Sequence, residues 1–386
     1  MFGLSRQAIL FLIATFFFWA SLYVYVPVLS VYAKSLGASL ALAGLVISAY
    51  GLTQLFARTP VGFASDLLGR RKPFVVAGMI AAGLACFGLA ISPGPWALVG
   101  SRAIMGLAAS MWVTFSVMFA SYFPLNRTAM AMSIISFVSG SAQAISGLAG
   151  GFLSQQYGPI LTFYVGIGLA FLGLAAILPV REVPHVRPTQ MSISRLVVIA
   201  GTPALVVAAG IATINTLVNF VTTLTFTPIY ARGLGATDSQ LGLIYTAAIV
   251  ATTVSSLLGA ATADRLGDRG VIAVGMGLAA VATALVPFTH GLVLLAAAQA
   301  AAGFGLGWCN PTLMSLSIRS LPAHERASGM GIYQAVYSIG MFAGPPLAGM
   351  IADLFGLPSV FYATALLSVG SAVWGLRASA LRQDAR

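Results

Sequence analysis

Long uncharged stretches alternate with short polar gaps along the whole chain. Twelve apolar runs fall near 8–32, 40–63, 74–92, 96–121, 129–153, 160–179, 198–230, 239–262, 270–288, 291–318, 328–352 and 358–376. A hydrocarbon core about 30 Å thick takes roughly 20 apolar residues to cross as a helix. Helices also satisfy every backbone N–H and C=O within the segment, as a bilayer requires. A transmembrane β-barrel would show spans of about ten residues with alternating polarity, so these continuous Gly- and Ala-rich runs predict an all-α membrane protein with twelve transmembrane helices. The first run follows Arg6 as a secretion signal would, but it is too long, contains Pro27 and has a counterpart near residue 206. It reads as the first span.

Two of the polar gaps carry the same short charged loop. Gly62-Phe-Ala-Ser-Asp66-Leu-Leu-Gly69-Arg70-Arg71-Lys72 returns 198 residues later as Ala260-Ala-Thr-Ala-Asp264-Arg265-Leu-Gly267-Asp268-Arg269. Tyr32-Ala-Lys-Ser-Leu-Gly-Ala-Ser39 returns at the same offset as Tyr230-Ala-Arg-Gly-Leu-Gly-Ala-Thr237. The chain is thus a duplicated module of two pseudosymmetric six-helix bundles, residues 1–181 and 196–386, joined by a polar linker over 182–195.

Composition agrees: 59% of residues are hydrophobic and 7% charged, with mean hydropathy +0.96, against about a quarter charged in soluble domains. Assigning the gaps alternately to two faces puts Arg6, Arg70, Arg71, Lys72, Arg127, Arg181, Arg187, Arg195, Arg265, Arg269, Arg319, Arg326, Arg377, Arg382 and Arg386 on one face, 15 of the 19 basic residues, with Lys34 and Arg232 on the other. By the positive-inside rule both termini are cytoplasmic, and a bacterial cytoplasmic (inner) membrane is expected. The net charge of +11 then follows from topology and contact with an anionic leaflet, and no nucleic-acid partner is called for. Cys86 and Cys309 fall inside spans and read as small packing residues. His185, His290 and His324 lie in gaps, and no metal-ligand cluster, phosphate-cradling loop or nucleophile constellation stands out. No enzyme activity and no cofactor are expected; the partners are a small-molecule substrate and the bilayer, and the protein is taken as a monomer.

The loop Gly62…Asp66-x-x-Gly69-Arg70-Arg71, placed between spans two and three, resembles the signature loop of the major facilitator superfamily, which repeats it between spans eight and nine. The resemblance covers the whole chain and implies the major facilitator fold, alternating access, and a cytoplasmic gate built from Gly62, Asp66, Gly69, Arg70, Arg71, Asp264, Gly267 and Arg269. Physically, Gly69 permits a tight turn, Asp66 caps or faces a helix terminus, and the arginines clasp helix ends or an acidic partner across the seam between halves. The second copy has Ala260 and Asp268 where the first has Gly62 and Arg70, so the main clasp is expected in the first half. Exporters of this superfamily carry a Gly-Pro-x-x-Gly-Gly run in span five. Here it reads Ser146-Gly147-Leu-Ala-Gly150-Gly151, without the proline, while span eleven holds Gly340, Gly344, Pro345, Pro346 and Gly349. These glycines allow close helix approach and the prolines bend the helix.

Arg102 in span four, followed by Gly106, is costly in lipid, about 2.5 to 3.5 kcal/mol on insertion scales; the resemblance implies a cavity arginine linked to proton coupling or substrate. Arg58 lies eight residues before Asp66, roughly 12 Å deeper, and either snorkels, pairs with Asp66 or lines the cavity. Every acidic residue sits in or beside a gap, so the chain lacks the mid-membrane carboxylate of many proton-driven drug exporters. An electropositive cavity favouring neutral or anionic amphiphiles follows. Polar residues at helical spacing, Asn215, Asn219 and Thr222 in span seven and Ser133, Ser136, Gly140, Gln143 and Gly147 in span five, each mark one face. Trp19, Tyr23, Tyr25, Trp112, Trp308, Asn310, Tyr333, Gln334 and Tyr337 offer aromatic surface with polar tips. The function expected is proton-linked efflux of small amphipathic organic compounds, with protons as coupling ion. Uptake or exchange of a small organic anion through Arg102 is the alternative, and a non-transporting receptor or scaffold is less well supported.

Overall fold

The computed structural model describes residues 5–124, 127–182, 193–322 and 325–378, except for the side chains of Asp66, Thr128, Ala129, Ile193, Ala260, Ala261, Ala263, Asp264 and Ala327. Among the described residues twelve helices are long and apolar enough to cross a membrane: Arg6–Ser35, Leu40–Ser65, Lys72–Ala90, Pro95–Ala120, Met130–Tyr157, Pro159–Ile177, Pro203–Gly233, Asp238–Gly259, Arg265–Phe288, Leu292–Arg319, Ser328–Phe355 and Pro358–Arg377. They are called spans one to twelve below. There is no strand among the described residues. The even number of crossings brings the start of span one and the end of span twelve to one face, called the terminal face; the opposite face is called distal.

Most span ends fall within a few residues of expectation, but span seven starts at Pro203 rather than near 198. Pro203 cannot donate to the preceding turn and biases Thr202 to extended backbone, and Thr202 has φ −62° and ψ 121°. The helix therefore breaks, and Ile193–Ala200 forms a separate short helix tied by Arg195 to Glu325, Nε to Oε1 at 2.6 Å. Most of the expected linker, 183–192, lies outside the described residues.

Backbone geometry repeats with the sequence. Among the described residues six glycines have positive φ, and they form three pairs: Gly37 and Gly235 (88° and 85°), Gly69 and Gly267 (63° and 69°), Gly158 and Gly356 (84° each). Each pair is separated by the 198-residue offset of the charged loops. Local structure was thus duplicated together with the sequence.

The seam between the halves is built by span two against span eleven and by span five against span eight. Glycine sets the approach. A Cβ on Gly349 would overlap the Leu40 carbonyl oxygen and Ala41, one on Gly44 the Pro345 carbonyl, and one on Gly51 Met341. On the other side of the seam, Gly151 abuts Gly242 and the Asp238 carbonyl, and Gly147 abuts the Tyr245 ring. These contacts run from the distal ends of the helices toward mid-membrane, so the distal half of the seam is closed. The packing residues expected in spans five and eleven thus act at identified places, with Gly340 and Gly344 lying instead against Thr213, Leu217 and Val221 of span seven.

Candidate functional site

Two helices lose regularity at equivalent positions. Span one stops at Tyr23 and resumes at Val26, and span seven changes to π-helical turns over Phe220–Phe226; adding 198 to Val24 and Tyr25 gives 222 and 223. Breaks at corresponding places of two repeats mark the binding site in many transporters, because irregular backbone persists inside a membrane only where protein or a cavity supplies its partners. Gly150 is what admits the first break: a Cβ there would occupy the position of the Val24 carbonyl oxygen.

Arg102 closes onto this break. It is 3% exposed; Nη1 donates to the Tyr25 hydroxyl at 3.0 Å and Nη2 to the Ile47 carbonyl at 3.5 Å. Its guanidinium also lies 4.8 Å from the centre of the Tyr50 ring, a cation–π distance that stabilises a desolvated charge. Tyr50 in turn stacks on Phe220, the first residue of the span-seven irregularity, with centroids 6.2 Å apart and planes at 25°. The stack Arg102–Tyr50–Phe220 therefore runs from span four through span two into the other half. Tyr245 enters from span eight, buried, and its hydroxyl makes no hydrogen bond. Trp19, with centroids 5.7 Å from Tyr23 and 5.1 Å from Trp112, extends the aromatic wall.

Nearer the terminal face, Arg58 crosses the seam. Nη1 donates to the Tyr337 hydroxyl at 2.8 Å and to Gln334 Oε1 at 3.2 Å, both on span eleven, and Nη2 donates to Gln54 Oε1 one turn back on its own helix. Tyr337 packs edge-on against Tyr333, centroids 5.4 Å apart. Arg58 is 7% exposed, so it neither snorkels to the interface nor lines open solvent.

Several residues expected in the cavity belong elsewhere. Asn215 donates to the Leu306 carbonyl at 3.0 Å and lies against Met276 Sδ, which buries it among spans seven, nine and ten inside the second half. A buried asparagine needs partners, and a neighbouring helix supplies them as readily as a ligand. Trp308 donates Nε1–H to Thr262 at 2.6 Å, joining span ten to the segment that follows span eight. Gln143, Asn219 and Asn310 are half-buried. Tyr50, Gln54, Phe220 and Tyr245 are the site residues that sequence reading passed over. A signal was present for two of them: Tyr50, Gln54 and Arg58 are spaced by four along span two and form one polar stripe.

The duplicated loops sit at the terminal face. The side chains of Asp66 and Asp264 lie outside the described residues. Gly69 makes the tight turn, after which the N–H groups of Arg71 and Lys72 donate to the Glu182 carboxylate at 2.5 and 3.2 Å, and Lys72 Nζ donates to the Leu178 carbonyl at 2.6 Å. Arg70 is exposed and lines a cavity of about 590 Å³ with Gly69, Pro73 and Glu182. Gly62 faces Val113. Beside this knot Tyr122 donates to the Arg181 carbonyl at 2.7 Å; burial, with the Glu182 charge adding to it, pushes its phenol up to about 12, so it remains a donor at neutral pH. In the second copy Asp268 pairs with Arg319 at 2.7 Å and Arg269 donates to the Ala378 carbonyl. These contacts all run within one half. The clasp seen here joins each loop to the last helix of its own bundle or, for Asp268, to span ten.

The family model of the Major Facilitator Superfamily matches residues 11–221 and again 208–383. The chain belongs to the Major Facilitator Superfamily. A multi-drug resistance efflux pump PmrA homologue of Lactococcus lactis is 23% identical over 96% of this chain and 94% of its own length. The quinolone resistance protein NorA of Staphylococcus aureus is 28% identical over 36% of each chain. In fold, this superfamily member is similar to a bacterial homologue of the human lysosomal transporter Spinster, solved inward-facing and occupied, with TM-score 0.81 over 97% of this chain and 96% of that one at 15% identity.

Proposed function

We propose that this transporter exports small amphipathic organic compounds by alternating access, coupled to protons. The observation that carries the reading is the meeting of the paired breaks in spans one and seven at one buried aromatic site around Arg102, which faces both halves and is closed toward the distal face. The terminal face is assigned to the cytoplasm from its basic residues, so the closed distal face is the outer one. Aromatic walls with few polar tips suit amphipathic organic molecules, and the export direction is supported by the efflux and resistance roles of the two relatives. The coupling proton is carried by a carboxylate at a span end, Asp66 or Asp353, or by an acid group of the cargo.

Expression in a bacterium stripped of its own pumps tests this. Tolerance to lipophilic toxins should rise and should fall back with Arg102→Ala at equal expression. Purified protein in liposomes should move protons when cargo is added, and unchanged flux in both Asp66→Asn and Asp353→Asn would remove those carboxylates from the coupling. Growth on an organic acid with no gain in tolerance would reverse the direction assigned.

A further inference from the structure

Arg58 and Arg102 are two buried cations with no ion-pair partner among the described residues. Among the described residues the ion pairs are Arg195 with Glu325, Arg232 with Asp238 and Arg319 with Asp268, and neither Arg58 nor Arg102 joins one. Asp238 opens span eight, Asp268 is the fourth residue of span nine and Asp353 the third from the end of span eleven, all away from the level of the two arginines. Both guanidiniums also keep an Nε–H that is buried and makes no hydrogen bond. A desolvated charge without a counter-charge is expensive, and an unmade bond to a charged group adds to that expense.

The two arginines are built differently. Arg102 is held wholly by the first half, through Tyr25, Ile47 and Tyr50. Arg58 is held across the seam by two neutral groups, the Tyr337 hydroxyl and the Gln334 amide oxygen. A carboxylate or sulfonate offers a guanidinium a shorter, charge-assisted and bidentate partner, about twice as strong as a neutral one. Seated on the Nη1–Nη2 edge, it would displace Tyr337 and Gln334 rather than add to them. Displacing them cuts the polar tie between spans two and eleven at this level.

We propose that Arg58 binds the anionic group of a monoanionic amphiphile in exchange for Tyr337 and Gln334, so that loading the site releases this part of the seam. The proposal deepens the transporter reading above by naming the charge of the cargo, and it holds for either direction of transport. Only the anion is assigned; a soluble organic acid and an anionic lipid share that chemistry.

The test uses two dyes of nearly one shape in nanodiscs of phosphatidylcholine: 8-anilino-1-naphthalenesulfonate, which carries a sulfonate, and N-phenyl-1-naphthylamine, which does not. Arg58→Gln should weaken the sulfonate dye about 10- to 100-fold and leave the neutral dye within about twofold, which also shows that the variant is folded. Tyr337→Phe should tighten the sulfonate dye several-fold, because it removes an internal competitor, an effect a merely structural tyrosine would not give. Competition by phosphatidylglycerol added to the nanodiscs would assign the anion to a lipid headgroup, and its absence would assign it to a soluble solute. Equal changes for both dyes in Arg58→Gln, or weaker sulfonate binding in Tyr337→Phe, would overturn the proposal. Because the readout is binding, loss of the export phenotype alone leaves it standing.

Discussion

Asp353 caps the start of span two from the far end of span eleven: its Oδ2 accepts the Ala41 N–H at 3.0 Å and its Oδ1 the Leu40 N–H at 3.0 Å. Shifting each position by 198 residues gives Gln155 and Ser239, where the Gln155 amide oxygen accepts the Ser239 N–H at 3.1 Å. The distal closure is thus a duplicated device, one side chain per half laid on the exposed N–H groups of the helix facing it. Its copies differ in charge. A carboxylate also interacts with the positive end of the helix dipole, worth about 0.3 to 1 kcal/mol; an amide does not.

Asp353→Asn should therefore loosen the distal seal while keeping its shape. Ala43, fully buried near that end, reports on it once replaced by cysteine in a background lacking Cys86 and Cys309. Its reaction with a water-soluble maleimide should accelerate about two- to fivefold with Asp353→Asn. An unchanged rate would mean that the glycine contacts alone hold the seal.

Gly150 tests whether the break in span one depends on its neighbour. Valine there has no room against the Val24 carbonyl, and overpacking costs typically about 1 to 3 kcal/mol, a fall in Tm of roughly 2 to 10 °C. Gly168 lies within a helix with nothing near its absent Cβ, so Gly168→Ala should leave Tm unchanged or raise it slightly. Equal effects at the two sites would show that close approach to Val24 does not matter.

What the chain reveals by itself is what depends on local pattern. Twelve spans are legible because each one needs about 20 apolar residues regardless of its neighbours, and the repeat is legible because Gly69 and Gly267 must make the same turn. Partner choice is not local. Arg58 read equally well as a cavity residue or as one that snorkels or pairs with Asp66, since nothing in span two announces that Gln334 and Tyr337 will stand opposite. Asn215 and Asn219 share a helical stripe, yet only the packing of spans nine and ten reveals that the first is spent on the Leu306 carbonyl.

Asn215 accordingly belongs to stability, not to ligand choice. Asn215→Leu should lower Tm by a few degrees, since hydrogen bonds between membrane helices average about 0.6 kcal/mol and reach about 1.7. Binding of both naphthalene dyes should stay within about twofold. A selective loss of either dye would return Asn215 to the site.

Glu182 holds the first charged loop through its charge. Its two oxygens take the N–H groups of Arg71 and Lys72 at the start of span three, where a carboxylate is favoured over an amide both by the helix dipole and by stronger hydrogen bonds, about 1.5 to 3 against 0.5 to 1.5 kcal/mol. Glu182→Gln keeps the shape and removes that advantage, on the order of 1 kcal/mol. Local opening of the loop should rise about fivefold, and trypsin reads it: the bonds after Arg70 and Arg71 become available, while the bond after Lys72 is protected by Pro73. Cleavage by trypsin should accelerate by that factor at Arg70 and Arg71 with no change in global Tm beyond a degree or two. If the rate stays the same, the turn at Gly69 and the Lys72 contact with Leu178 are sufficient to hold the loop, and the charge of Glu182 is not what orders it.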